Sequence, residues 1–218
     1  MSFLVLLDVD GTLQDSEAMI VETARVAFVE SGLAPPMRET ILRTVGLSLP
    51  RMMEALSPGA SDAARTALVA NYRLHFAKVV EGAEPPLFPG VAAGLDRLEA
   101  AGAMLGLATG KSARGVRRFQ EAHGWNERFA TVQHADLNPS KPHPSMVRHA
   151  LSEADVEADR CAMVGDTTFD MEMARAAGVA GIGVAYGYHD PGVLRGAGAV
   201  EVAASFEEAV DAVLRRLG

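Results

Sequence analysis

The chain has 218 residues, with 20 Lys and Arg against 28 Asp and Glu, which gives a formal net charge of −8. An acidic chain without a basic block is a poor candidate for binding nucleic acid or an anionic membrane surface, so we expect neither partner. A hydrophobic content of 49% predicts a globular protein with one large domain, or one domain with a smaller insert. The single cysteine, Cys161, excludes an intrachain disulfide and is typical of a reducing compartment.

The N-terminal residues lack the pattern of a signal peptide. No segment of the sequence is apolar for long enough to span a bilayer. We therefore expect a cytoplasmic protein, and the sequence leaves monomer and homodimer open as its state of assembly.

The first motif begins with an apolar run over residues 3–7, which is followed by Asp8, Asp10 and Gly11. Such a short run predicts a strand that is buried on both faces. Because side chains alternate along a strand, Asp8 and Asp10 can face one small volume just past its end. Two carboxylates there repel each other, and a divalent cation is the usual compensation. From this stretch alone, an ordinary Asp-Gly turn is the alternative.

The next part of the chain predicts an all-helical insert. Apolar residues at helical spacing predict helices over residues 15–31, 39–44, 51–56 and 61–81. Ser16 or Asp15 is expected to cap the first of them. We find no strand pattern here, so the sequence predicts a helical cap domain over residues 15–85. The catalytic core is then formed by residues 1–14 and 86–218.

From residue 91 onward, helical patterns alternate with short apolar strands. The predicted strands cover residues 104–108, 129–132, 161–164, 179–185 and 199–202. This alternation predicts an α/β fold with a Rossmann-like, doubly wound parallel sheet. The Gly- and Ala-rich segment Val193 to Ala199 is interpreted as a loop. In sheets of this kind, ligands bind beyond the carboxyl ends of the strands.

A set of polar side chains stands at those predicted strand ends or in the loops beside them. The set is Asp8, Asp10, Thr109, Lys141, Asp166 and Asp170. Several carboxylates, one hydroxyl and one lysine form a suitable site for Mg²⁺ and a phosphate group. Taken alone, Asp166 is better explained as the cap of the helix that follows it.

Four motifs resemble those of the haloacid dehalogenase superfamily. They are DVDGTL at 8–13, Thr109-Gly110-Lys111, Lys141-Pro142-His143-Pro144 and GDTTFD at 165–170. Four motifs in the family's order are a specific signal. The sequence is most similar to the phosphoglycolate phosphatase-like branch with a helical cap. It departs from that branch at Gly110, where many relatives have Asn, so side-chain contacts with the substrate are lost there.

The resemblance implies a Mg²⁺-dependent phosphomonoester hydrolase that acts on a small phosphorylated metabolite. Asp8 is the implied nucleophile and forms an aspartyl-phosphate. Asp10 is implied to protonate the leaving oxygen and then to take a proton from the attacking water. The implied Mg²⁺ ligands are Asp8, the backbone carbonyl of Asp10, and Asp166.

The resemblance also implies how the phosphate is held. Thr109 and the backbone N–H of Gly110 bind its oxygens, and Lys141 neutralises its charge and steadies Asp8. Asp170 is implied to orient Lys141 or the water around the metal. Lys111 is expected at the surface, in the first turn of a helix, despite its place in the second motif.

The loop over residues 46–50 is the part of the insert that is expected to reach the site. Ser48, Arg43 and Arg51 are the polar residues nearby, and our hypothesis is that an arginine here binds an anionic leaving group. The alternative for each arginine is an exposed position on a helix. Two other functions stay open: a phosphosugar mutase of the same superfamily, and a catalytically idle relative that serves as a binding module.

Overall fold

One parallel sheet organises the computed structural model, which describes residues 3–80 and 84–217. Its strands are β1 (Phe3–Leu7), β2 (Ala103–Thr109), β3 (Thr131–His134), β4 (Cys161–Gly165), β5 (Ala180–Val184) and β6 (Ala199–Ala203). They lie in the order β3-β2-β1-β4-β5-β6, and every neighbouring pair is parallel. The predicted α/β fold is therefore confirmed.

Helices fill the connections between the strands. They are α1 (Glu17–Glu30), α2 (Arg38–Leu42), α3 (Leu49–Leu56), α4 (Asp62–Val80), α5 (Val91–Ala100), α6 (Ala113–His123), α7 (Ser145–Ala154), α8 (Thr168–Ala176), α9 (Pro191–Ala197) and α10 (Phe206–Leu217). Glu81, the predicted last residue of α4, lies outside the described residues. Among the helices that the structure describes, none has the length and apolar character of a membrane-spanning segment.

Strand β1 lies at the centre of the sheet because all five of its side chains are apolar and buried. Phe3, Val5 and Leu7 pack with α5, α6 and α10 on one face. Leu4 and Leu6 pack with α7 and α8 on the other face. The chain continues from β1 to β2 on one side and reaches β4 on the other, so the strand order reverses at β1. The crevice at the carboxyl end of β1 is thus the expected place for a ligand.

The helices α1 to α4 lie between β1 and β2 in the chain and share a separate cluster of buried apolar residues. Leu68, Tyr72 and Phe76 of α4 belong to this cluster, as the helical spacing predicted. The two ends of the segment meet, because the Gln14 side-chain amide donates hydrogen bonds to Glu84 and to the carbonyl of Pro85. We call residues 15–85 the helical insert. Its status as a separate domain stays a prediction.

Two sequence-based assignments differ from the structure. The segment Val193 to Ala199, predicted as a loop, lies mostly within α9. Asp190 caps this helix by accepting a hydrogen bond from the N–H of Gly192 at 2.7 Å, and Leu194 anchors it in the core. The strand predicted over residues 129–132 begins two residues later, at Thr131.

Candidate active site

Three buried carboxylates meet at the carboxyl end of the sheet. Asp8 follows β1, Asp166 follows β4, and Asp170 lies in the first turn of α8. One oxygen of each lies within 4.8 Å of the other two. Gly11, with φ at +83°, makes room for this approach, since a Cβ on it would lie 2.2 Å from Oδ2 of Asp166. The structure thus brings together acidic residues that are far apart in the chain.

Lys141 lies inside this group of carboxylates. Its Nζ is 3.0 Å from Oδ1 of Asp8 and 2.6 Å from Oδ1 of Asp170, and its side chain is fully buried. Burial alone lowers the pKa of Lys141, but the carboxylates of Asp170 and Asp8 together raise that pKa above its usual range. Lys141 is therefore a permanent positive charge beside Asp8, in the position that the motif implied.

The carboxylates outnumber the one cation among them, and a divalent metal ion fits the excess of negative charge. Burial raises the pKa of Asp8 to about 7, although Lys141 opposes this rise. Burial also raises the pKa of Asp166, with further contributions from Asp170 and Asp8. Oδ1 of Asp8 is in contact with the Lys141 ammonium, and Oδ2 lacks a hydrogen-bond partner among the described residues. Oxygen donors with these properties suit Mg²⁺.

Asp166 and Asp170 are held by different partners. Asp166 accepts hydrogen bonds from the Thr12 hydroxyl at 2.9 Å and from the backbone N–H of Tyr188 at 2.9 Å. Asp170 accepts from the N–H and the hydroxyl of Thr167, which is the N-cap of α8. Thr167 and Asp170 form the capping box of α8 between them. The alternative that Asp166 caps this helix is therefore wrong.

The expectation that Lys111 lies at the surface is wrong, because its side chain is buried. Its Nζ lies 2.7 Å from Oδ1 of Asp10, and its side chain is 6% exposed. Asp10 also accepts a hydrogen bond from the Ser16 hydroxyl, which contacts the Tyr188 hydroxyl in turn. The Ser16 side chain therefore binds Asp10 and makes no capping hydrogen bond to α1. The spacing of the second motif gave no signal for this ion pair.

A cavity of about 560 Å³ lies between the sheet and the helical insert. The sheet side of its wall contains five residues of the first two motifs: Asp8, Asp10, Thr109, Gly110 and Lys111. The hydroxyl oxygen of Thr109 accepts a hydrogen bond from the backbone N–H of Lys111 at 3.3 Å, which fixes the loop after β2. The implied nucleophile and acid, Asp8 and Asp10, thus share one space with Thr109 and Gly110, whereas Lys141 lines a second opening.

There is no room for a side chain at Gly110, because the backbone of the helical insert lies against it. A Cβ on Gly110 would lie 2.7 Å from the carbonyl oxygens of both Gly46 and Leu47. The next residue of the insert, Ser48, donates its backbone N–H to the Ser140 hydroxyl at 2.8 Å. The departure from the family pattern at Gly110 therefore has a steric reason.

Of the polar residues of the insert that were predicted near the site, only one lies in the wall of the cavity. Ser48 lines the cavity, but neither Arg43 nor Arg51 does. Arg43 is exposed, and Arg51 forms an ion pair with Glu54 at 2.6 Å beside a second opening near Lys141. The arginines that do line the cavity are Arg73, Arg114 and Arg118. Arg114 and Arg118 stand four residues apart in the helix after the second motif, a spacing that signals one helix face.

Comparison with known proteins places the chain among hydrolases. The model of the family "Haloacid dehalogenase-like hydrolase" matches residues 5–184. The "Probable phosphatase IndB" of Dickeya dadantii (strain 3937) is 37% identical over 213 residues, covering 96% of this chain and 92% of that protein. A "Phosphoglycolate phosphatase" of Xanthomonas campestris pv. campestris (strain 8004) is 36% identical over 186 residues, covering 84% and 83%.

Solved structures share the fold. A protein from Clostridium acetobutylicum, described as a predicted phosphatase, superposes with a TM-score of 0.88 at 23% identity, covering 99% of this chain and 100% of that one. A hydrolase from Pseudomonas syringae gives a TM-score of 0.86 at 23% identity, with 96% and 97% covered. At these identities the likeness shows the fold alone.

The contact between Gly110 and the insert can be tested by the substitution Gly110→Ala. The added methyl group collides with two backbone carbonyls, so the free energy of unfolding should fall by about 1–3 kcal/mol. Urea unfolding measures this loss. The matched control is Gly196→Ala, where a Cβ meets nothing within 4 Å. Equal stability of the two variants would show that the insert does not rest on Gly110.

The ion pair of Lys111 with Asp10 can be tested by Lys111→Met, which keeps the apolar stem. The variant leaves the carboxylate of Asp10 without its cation, which should cost about 1–3 kcal/mol of unfolding free energy. Lys78→Met is the control, because Lys78 is exposed on α4 and a surface substitution there should change stability by less than about 0.5 kcal/mol. Matching urea midpoints for the two variants would contradict the buried ion pair.

Proposed function

The chain belongs to the haloacid dehalogenase-like hydrolases, as a member of their phosphatases, and we propose that it uses Mg²⁺ and an aspartyl-phosphate on Asp8. The state of Asp8 is the main support for this proposal. Its carboxylate is buried and lines the cavity; Oδ1 lies 3.0 Å from the ammonium of Lys141, and Oδ2 lacks a hydrogen-bond partner among the described residues. With Oδ1 in contact with the Lys141 ammonium and Oδ2 unpaired among the described residues, one oxygen can serve a metal ion while the other attacks phosphorus.

The proposed metal ligands are Asp8, Asp166 and the backbone carbonyl of Asp10. Asp170 has an oxygen in the same cluster, and because its Oδ1 accepts a hydrogen bond from the Lys141 ammonium at 2.6 Å, we assign it the positioning of Lys141. When bound, Mg²⁺ offsets the repulsion between the anionic nucleophile and the anionic phosphate.

In the first proposed step, a carboxylate oxygen of Asp8 attacks phosphorus in line with the leaving oxygen. The bond between phosphorus and the leaving oxygen breaks, and that oxygen takes a proton from Asp10. Asp10 is paired with Lys111 in this structure. Both residues line the cavity, so an arriving phosphate group competes for Lys111 and releases Asp10, which takes up a proton from water or from the phosphate monoanion before it acts as the acid.

In the second proposed step, water attacks phosphorus and gives a proton to Asp10. The bond between phosphorus and Asp8 breaks, so inorganic phosphate leaves and both carboxyl groups return to their starting states. Lys141 neutralises charge on the phosphoryl group, while the Thr109 hydroxyl and the N–H of Gly110 bind its oxygens. The Ser16 hydroxyl, hydrogen-bonded to Asp10, keeps that carboxyl group in position.

The proposed substrate class is a small phosphorylated metabolite, since the cavity is covered by the helical insert. We propose that residues 15–85 act as a cap domain that excludes water from the site. Relatives named phosphoglycolate phosphatase support a phosphomonoester.

The substitution Asp8→Asn tests the nucleophile. It keeps the shape of the side chain but removes the attacking charge, so hydrolysis of p-nitrophenyl phosphate should fall on the order of 10³-fold or more. Asp15→Asn is the control, because Asp15 is an exposed carboxylate seven residues further along the chain. An Asp8→Asn protein as active as the wild type would exclude the aspartyl-phosphate, and no hydrolysis by either protein would make the idle binding relative the better account.

Magnesium should stabilise the protein through the carboxylate cluster. At a Mg²⁺ concentration about 100 times its Kd, the expected gain in unfolding free energy is about 2.7 kcal/mol. Thermal unfolding with Mg²⁺ and with EDTA measures the gain. We expect it in the wild type and in Glu54→Gln, a surface control, and expect most of it to be lost in Asp166→Asn. A gain that persists in Asp166→Asn would place the metal elsewhere.

A further inference from the structure

The part of the cavity wall that the helical insert supplies is apolar, which the proposed phosphoryl chemistry does not require. It includes Ile20, Val45, Leu47, Met52, Tyr72 and Phe76. A polar leaving group gains little from such a wall, because burial against it replaces hydrogen bonds to water with contacts that offer none. An apolar leaving group that packs against the wall is favoured, because the contact removes apolar surface of both the ligand and the wall from water.

The volume of the cavity points in the same direction. Its volume of about 560 Å³ falls within the range of about 300–1,000 Å³ of pockets for drug-sized ligands. Glycolate, the leaving group of phosphoglycolate, is much smaller than this space. With the phosphoryl group at Asp8, a leaving group as small as glycolate would leave most of the apolar wall uncovered.

The aromatic part of this wall is held in place before any ligand arrives. The rings of Tyr72 and Phe76 stack one turn apart on α4, with centroids 5.8 Å apart and an angle of 14° between the planes. The guanidinium of Arg118 lies 5.1 Å from the centre of the Phe76 ring. A surface that is already ordered loses little conformational entropy when a flat or apolar group binds to it.

Two exposed arginines also line the cavity. Arg73 and Arg114 form no ion pair with any of the residues that the structure describes. Their charge attracts phosphate esters in general, whichever alcohol the ester carries. These arginines also attract a leaving group that carries a carboxylate, such as glycolate, so the preference between that group and an apolar one tests the role of the wall.

We propose that the substrate is a phosphate monoester of a bulky, mainly apolar alcohol, and that Tyr72, Phe76 and their apolar neighbours bind the leaving group. This inference rests on the proposed function, because it names the substrate class of the same site. Each methylene group that is buried against the wall should improve recognition by about fourfold.

A series of ethyl, butyl, hexyl and benzyl phosphates tests the proposal. All four are esters of primary alcohols, so the acidity of the leaving group changes little along the series. We expect kcat/KM for hexyl and benzyl phosphate to exceed that for ethyl phosphate, and that for 2-phosphoglycolate, by at least about tenfold. Equal values along the series, or a preference for 2-phosphoglycolate, would overturn the proposal.

Two variants of α4 test whether the leaving group binds at the apolar wall. Ala77→Leu fills part of the cavity, so it should lower the hexyl-to-ethyl ratio of kcat/KM by about fivefold or more. Leu74→Ala is the matched control, since Leu74 is 53% exposed on the same helix and does not line the cavity. A ratio that Ala77→Leu leaves unchanged would show that the leaving group does not bind at this wall.

Calorimetric titration separates this inference from the proposed function. Ethyl, hexyl and benzyl phosphonates resist hydrolysis, so their affinity for the wild-type protein with Mg²⁺ does not depend on catalysis. We expect the Kd to fall at least about tenfold from ethyl to hexyl phosphonate, and a constant Kd would overturn the inference. Asp8-dependent hydrolysis of 2-phosphoglycolate together with a constant Kd would leave the proposed function standing. Hydrolysis of no ester would contradict the function, and the titration would still decide the inference.

Discussion

The burial of three carboxylates around one lysine is the constraint on which the rest of the structure depends. Charges that are removed from water are costly unless they are paired, and Lys141 compensates only part of the charge of Asp8, Asp166 and Asp170. The surrounding chain is shaped by this requirement. A Cβ on Gly11 or on Gly187 would lie 2.2 Å from Asp166. Glycine at these positions lets the backbone come close enough to enclose the cluster.

The sequence predicted this cluster because a parallel sheet imposes simple geometry. Each polar motif follows an apolar run, the runs become parallel strands, and the carboxyl ends of parallel strands meet at one edge. Asp8 and Asp166 therefore had to lie close together once β1 and β4 were neighbours. The alternative role of Asp166 as a helix cap was resolved only by the hydrogen bonds of Thr12 and Tyr188.

What the sequence could not predict depends on contacts between distant segments. Lys111 was assigned to the surface because the sequence placed it in the first turn of a helix, where side chains are usually exposed; in the structure it lies two residues before α6. Its burial arises from Asp10, which lies 101 residues earlier in the chain. Arg73 was missed because nothing local marks which face of α4 borders a cavity. The helix α9 was taken for a loop because its Gly and Ala content concealed the capping signal of Asp190 and Pro191.

The helical insert and the sheet share the site through a few direct contacts. The loop that carries Gly46 and Leu47 rests on Gly110, and Ser48 binds Ser140, next to Lys141. A shift of this loop would therefore displace residues in, or next to, two of the four motifs. The positions of the phosphate-binding groups are in this way coupled to the position of the insert, which is what a covering segment requires if it is to complete the site as it closes.

Arg118 joins the apolar wall to the point where the insert leaves the sheet. Its guanidinium lies over Phe76 and donates a hydrogen bond to Glu84 at 2.6 Å. Glu84 also accepts from Gln14, which stands where the chain enters the insert. Movement at this junction must therefore displace the aromatic surface as well. The polar groups at the sheet edge and the apolar groups of the insert differ in chemistry, and Arg118 links the apolar wall to this junction through its contacts with Phe76 and Glu84.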